Sequence, residues 1–311
     1  MLGGFLDSAN KSFDKRFLLA YWYPTLLNLL FAFLVYSWPK DLEPVYEYFA
    51  ALQNGDYSFQ LMIFIALIIF TFVIAHLLQA FSRPIVQFWE GYHPQWFWEI
   101  YSNFVDRNKK HDKVMREYEC ARINKQPEAG FIYEKLFYEY SAQFQLATKL
   151  GSVIRSAEDY APTRYRMRIL FWWPRLWVLL PEAFKEEMDD SEAPMLALLN
   201  LTTQVLLTSI VGFIYLITQG TLVAALVTFF GGILLAFILY HGAVSQARTY
   251  GNLIRTAVDL YRFELLKALH IEMPTNMSEE EEQWNKLYDW LYQNDQTDLP
   301  SYDIQSPNDQ K

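Results

Sequence analysis

Four long apolar runs constrain this chain more than any other feature. They occupy residues 17–38 (FLLAYWYPTLLNLLFAFLVYSW), 59–81 (FQLMIFIALIIFTFVIAHLLQAF), 195–217 and 221–244, and none contains Asp, Glu, Lys or Arg. A helix needs about 20 such residues to cross the hydrocarbon core of a bilayer. Four in one chain are not the pattern of a soluble core. The mean hydropathy near zero averages these runs with heavily charged stretches between them. The chain therefore reads as an all-α integral membrane protein with four transmembrane helices.

The runs pair into two hairpins, 17–81 and 195–244. The first pair is joined by about 20 residues, close to the length of a span itself, and the second only by Thr218, Gln219 and Gly220. Pro24, inside the first run, removes a helix hydrogen bond and bends the helix, which neighbouring helices can repair. Trp22, Tyr36, Trp38 and Tyr240 suit either interfacial belts or simple packing.

Lys and Arg set the expected orientation. The tail 1–16 carries Lys11, Lys15 and Arg16, and the linker between the first two runs carries only Lys40. The middle segment, 82–194, carries sixteen and the C-terminal segment six. The residues nearest the spans (Lys15, Arg16, Arg83 and Arg248) agree, so both termini and the middle segment are expected in the cytoplasm. The expected organisation is a tail (1–16), a hairpin, a helical cytoplasmic domain (82–194), a second hairpin, cytoplasmic helices (245–292) and a disordered polar tail (293–311). No small-residue cleavage site follows the first run, so it reads as a span and not as a cleaved signal peptide.

The middle segment lacks strand alternation and Asn-Gly turns, and reads as helical. Pro84, Pro94 and Pro127 with Gly130 interrupt it. Beyond the last break, Phe131, Phe137, Tyr138 and Phe144 give the next helix an apolar face. The basic cluster RNKKHDK at 107–113 reads as a solvated turn. After the fourth run a helix continues to about Leu269, and Pro274 ends it. A last helix begins at Ser278, with Trp284, Leu287, Trp290 and Leu291 as its apolar stripe.

Two stretches repeat one hundred positions apart: GSVIRSAED at 151–159 and GNLIRTAVD at 251–259. The matched residues are Gly151, Ile154, Arg155, Ala157 and Asp159, with Gly251, Ile254, Arg255, Ala257 and Asp259; Ser156 corresponds to Thr256. Gly and Ala permit close helix approach, and Arg155–Asp159 and Arg255–Asp259 are spaced as i, i+4 ion pairs. A structural pairing of the two copies is the leading reading. An anion site built from Arg155 and Arg255 is the functional alternative.

The segment RYRMRILFWWPRLWVLLPE follows the first copy. Arg168, Trp172, Trp173, Arg175 and Trp177 suit a helix at the membrane interface, with rings at the headgroups and cations against anionic lipid. A buried aromatic core is the alternative.

The stretches LGSVIRSAEDYAPTRYRM, WPRLWVLLPE and ARTYGNLIRTAVDLYRFELLKALHIEMP carry a resemblance to an uncharacterised family of bacterial multi-pass inner-membrane proteins, over roughly 150–274. It implies a cell inner-membrane location and an architecture, and no activity. In topology alone the chain is similar to bestrophin-type anion channels, whose N-terminal motif it lacks.

The search for chemistry returns no catalytic residues and no cofactor motif: no Walker loop, GxGxxG or GxSxG. The five histidines (His76, His93, His111, His241 and His270) have no metal-ligand spacing, and Cys120 stands alone. His76 and His241, each near the cytoplasmic end of a span, are candidates for packing or pH sensing. A net charge of −9 speaks against a nucleic-acid partner. The expected function is non-enzymatic: a membrane-anchored docking or signalling module, homo-oligomeric, meeting lipid headgroups and a cytoplasmic protein. The alternative is a homo-oligomeric ion channel, with amides and hydroxyls of the spans lining its path.

Overall fold

In the computed structural model the described residues are 15–38, 57–92, 107–141 and 145–294, with Tyr46 and Ala50 apart from them. Most of the N-terminal tail, most of the first linker, His93, Phe144 and the tail beyond Asn294 lie outside the described residues. The described chain is helical, without a strand element: α1 (Lys15–Ser37), α2 (Tyr57–Ala80), α3 (Ser82–Glu90), α4 (Arg107–Ile123), α5 (Ala129–Glu139), α6 (Lys149–Glu158), α7 (Tyr160–Tyr165), α8 (Ile169–Leu179), α9 (Glu182–Thr218), α10 (Leu222–Ala268) and α11 (Met277–Gln293). Four of these, α1, α2, α9 and α10, are long and apolar enough to cross a membrane.

Contacts divide the chain into two compact units. Unit 1 comprises residues 1–89 and 189–246; unit 2 comprises 90–188 and 247–311. The unit boundaries differ from the 81/82, 194/195 and 244/245 divisions drawn on composition. The 37 residues of α9 and 47 of α10 extend roughly 55 Å and 70 Å at about 1.5 Å per residue. Both exceed the roughly 30 Å of a bilayer core. Pro194 sits inside α9.

Unit 1 is held by small residues and neutral hydrogen bonds. Pro24 cannot donate to the carbonyl of Ala20, four residues back. A π-helical turn at Leu18–Trp22 absorbs the misfit. The buried Asn200 amide of α9 donates to that carbonyl at 2.8 Å. Further ties are Trp22 Nε1 to Thr71 Oγ1 (3.1 Å), Thr208 Oγ1 to Asn28 Oδ1 (3.0 Å) and Trp89 Nε1 to Thr203 Oγ1 (2.9 Å). Gly232 gives way to Ser209, whose Oγ lies 1.7 Å from where a Cβ would stand; Gly231 has nothing within 4 Å. At one end, Lys15 pairs with Asp190 at 2.7 Å and Arg16 with Asp189 at 2.6 Å and with Glu192.

Unit 2 has an aromatic core. Trp172 and Trp284 are fully buried, edge to face at 5.2 Å, with Met167, Leu176, Leu266, Ile271 and Leu287 around them. The sequence reading needs correction in three places. The 107–113 cluster is the first turns of α4, where an i, i+4 pair such as Lys113–Glu117 suits a helix, and not a turn. Phe131 is exposed, and Leu136 of α5, with Tyr140 at its C-terminal cap, is buried against Val114 of α4. The cap of α11 is Asn276, which accepts the Glu279 N–H at 3.0 Å, two residues before Ser278.

Candidate functional site

The first copy of the repeat forms α6. Thr148 caps it by accepting the Gly151 N–H at 3.0 Å, and Leu150, Gly151, Val153 and Ala157 make its buried face. A Cβ at Gly151 would stand 1.9 Å from the Glu90 carbonyl oxygen, so glycine lets the end of α3 approach. The second copy lies within α10, and the two copies touch. A Cβ at Gly251 would stand 3.0 Å from that of Ala157, and Ala157, Ile254 and Ala257 share one buried cluster.

The polar contacts between copies join positions 99 apart: Arg255 Nη2 to Ser156 Oγ (2.9 Å) and Tyr160 Oη to Asp259 (3.0 and 2.9 Å). The close approach of Gly251 to Ala157 joins positions 94 apart. Their charges are used differently. Arg155 bonds within its own helix, at 3.1 Å to both Glu158 and Asp159. Arg255 turns from Asp259 to Ser156, Asn252 and the Phe137 carbonyl, and its guanidinium lies over the Phe137 ring at 4.7 Å. The expected Arg255–Asp259 pair is thus replaced; Asp259 accepts hydroxyls from Tyr160 and, at 2.7 Å, Tyr165. Burial pulls the Arg255 guanidinium down to about 10. Burial, reinforced by the bond to Asp259, pushes both tyrosines up. Arg155 lines the cavity described below, and Arg255 is not among its lining residues.

The Trp-Arg segment divides. Trp172 is enclosed in the core of unit 2 and offers no ring to lipid, a correction of its expected interfacial place. Its neighbours Trp173 and Trp177 are half-buried, while Leu170 and Val178 are exposed on the other side of α8. Arg175 stacks on Phe171 at 4.1 Å, and Arg168 on Tyr288 at 4.0 Å. In unit 1, His76 stacks on Phe17 at 4.5 Å and bonds to Gln79, and His241 bonds to the Phe237 carbonyl of its own helix.

Beside the first copy, unit 2 opens a cavity of about 770 Å³. Arg155, Glu158 and Asp159 form its floor, Arg166 and Arg168 come from the turn between α7 and α8, and Asn285, Tyr288 and Tyr292 from α11. Arg166 holds a left-handed backbone at φ 59°, which ends α7 and turns the chain toward α8. Glu158 is raised from the ordinary carboxylate value by burial, against the lowering effect of Arg155. Nearby Glu90 is raised to about 7 by burial and by Glu158. Asn285, Tyr288 and Tyr292 went unread in the sequence, although the two tyrosines are an i, i+4 pair beside the Trp284–Leu287 stripe. Among the described residues no group of three His, Cys, Asp or Glu could hold a metal ion. Comparison with protein-family models, curated proteins and solved structures finds no match for this chain.

Proposed function

We propose that this chain is a non-enzymatic four-span protein of the cell inner membrane, whose helical unit 2 acts in the cytoplasm as a docking or signalling module. Its spans form two hairpins with both termini on the cytoplasmic side. The positive charges near the span ends support that orientation, and so do Lys15 and Arg16, which meet the acidic residues 189–192 before the third span.

One observation favours docking over the alternative, a channel. Of the span side chains that would line a polar path, Asn28, Thr203, Thr208 and Ser209 hydrogen-bond to other helices of the same bundle or to their own, while the buried Gln204 Nε2 has no hydrogen-bond partner among the described residues. The outward face of α2 is a row of Leu61, Met62, Phe64, Ile65, Ile69, Phe70, Val73 and Leu77. A pore walled by such a face excludes water and ions. The same face suits lipid, or another copy in a homo-oligomer.

The test is planar-bilayer recording with the purified chain at several pH values, calcium concentrations and voltages. Silence is expected. Reproducible unitary currents that vanish with the protein would establish the channel instead. Mass measurement in detergent reports the oligomer.

A further inference from the structure

The unit 2 cavity carries an inference that rests on reading this unit as a docking or signalling module, and it names the chemistry the module takes. At about 770 Å³ the cavity falls within the range of about 300–1,000 Å³ that small-molecule sites occupy. Its charges are unevenly committed. Asp159 is buried and held by Arg155 at 3.1 Å and by the Ser141 hydroxyl, and Glu158 also pairs with Arg155. The two carboxylates of the floor thus share the one Arg155 guanidinium.

The mouth is different. Arg166 reaches Glu281 only at 3.6 Å, in a pair exposed on both sides, of the kind that holds weakly. Arg168 has no carboxylate partner among the described residues; its guanidinium lies over Tyr288. Stacking occupies the face of a guanidinium and leaves its in-plane N–H groups free to bind a phosphate two bonds at a time. Tyr292 stacks on Tyr288 at 5.0 Å and 24°, and with 66% of its surface exposed it offers a ring to a planar ligand. The Asn285 amide beside them supplies both a donor and an acceptor.

We infer that this cavity binds a phosphorylated compound with a planar ring, of the nucleotide class. Arg168 and Arg166 hold the phosphate, and Tyr292 stacks on the ring.

The experiment uses the full chain in nanodiscs of zwitterionic phosphatidylcholine, titrated calorimetrically with adenosine triphosphate, guanosine triphosphate, adenosine and inorganic phosphate. Saturable binding of at least one nucleotide is expected, weakened at least tenfold for adenosine or phosphate alone. Arg168→Gln should weaken nucleotide binding about tenfold and Tyr292→Ala several-fold, with unchanged thermal unfolding because both side chains are exposed. Arg175→Gln, outside the cavity, should bind as the parent does.

No saturable binding of either nucleotide at millimolar concentration overturns the inference, as does unchanged affinity in both cavity variants. Phosphate binding as tightly as the nucleotides removes the ring from the proposal. Competition by phosphatidylglycerol in the nanodisc, lost in Arg168→Gln, would assign the site to a lipid headgroup instead. Absent nucleotide binding together with silent bilayers leaves the docking reading standing without this ligand. Nucleotide binding together with ion currents would sink the docking reading and keep the site.

Discussion

The two units hold helices together by different chemistry. In unit 1 the joints between the apolar stretches are neutral (Asn200 on the Ala20 carbonyl, Trp22 on Thr71, and Gly232 against Ser209), and ion pairs appear at the end where Lys15 and Arg16 meet Asp190, Asp189 and Glu192. Where water is scarce, an unmatched charge is costly, and small residues with amides and hydroxyls do the work. Unit 2 uses large rings and guanidinium groups: Trp172 on Trp284, Arg255 over Phe137, and Arg262 joining Glu280 at 2.7 Å. Such groups are affordable where their edges can be solvated or bonded. The difference teaches where function can reside: the joints of unit 1 leave few polar groups over, whereas unit 2 keeps charged side chains at the mouth of a cavity.

The largest effect should come from breaking the aromatic core. Trp172→Ala removes a fully buried ring packed against Trp284 and should cost about 3–5 kcal/mol in denaturant unfolding. The half-buried Trp177, changed in the same way, should cost less. Were Trp172 a lipid-facing ring, the variant would instead lose affinity for anionic vesicles and keep its stability.

Adjacent glycines of unit 1 sharpen the comparison. Gly232→Val drives a Cβ into Ser209, whose own Cβ is only 2.5 Å away, so side-chain rotation alone cannot relieve the clash. A loss of about 1–3 kcal/mol in detergent unfolding is expected. Gly231→Val meets nothing within 4 Å and should change stability by less than about 0.5 kcal/mol. Equal effects at the two positions would mean that the close approach of the helices is not what Gly232 provides.

The sequence makes the four long apolar helices legible because an uncharged run of that length is a local signal. Pro24 and its repair were legible for the same reason, since the lost bond follows from the ring itself. The start of α9 at Glu182 was not: KEEMDD supports a helix as well as a loop, and only its packing decides. Trp172 shows the limit most clearly. Tryptophans beside arginines serve an interface and a core equally well, and the partner that decides, Trp284, lies far along the chain. The repeat announced that its copies might meet, but the diversion of Arg255 from Asp259 to Ser156 depends on Phe137 and Tyr160, which belong to other helices. The cavity is harder still, because its walls come from α6, α8 and α11, and none is distinctive alone.

A last effect concerns a single proton in unit 2. Glu90 ends α3 half-buried, facing Glu158 and near Tyr92. Burial first, and Glu158 second, raise it from 4.5 to about 7. The folded chain therefore keeps a proton that the unfolded chain has already lost over that interval. Stability is full below the ordinary carboxylate value, falls as the pH climbs toward 7, and levels off above it. Burial raises Glu158 in the same direction, which adds to the fall. Glu90→Gln keeps the shape without the charge, so its unfolding midpoint should vary less between pH 5 and pH 8 than the parent's. Parallel pH profiles for the two proteins would show that Glu90 ionises freely. Burial raises Glu192 of unit 1 in the same direction, but the joint at Asn200 is neutral, so Asn200→Leu should lower the midpoint equally at both ends of that range.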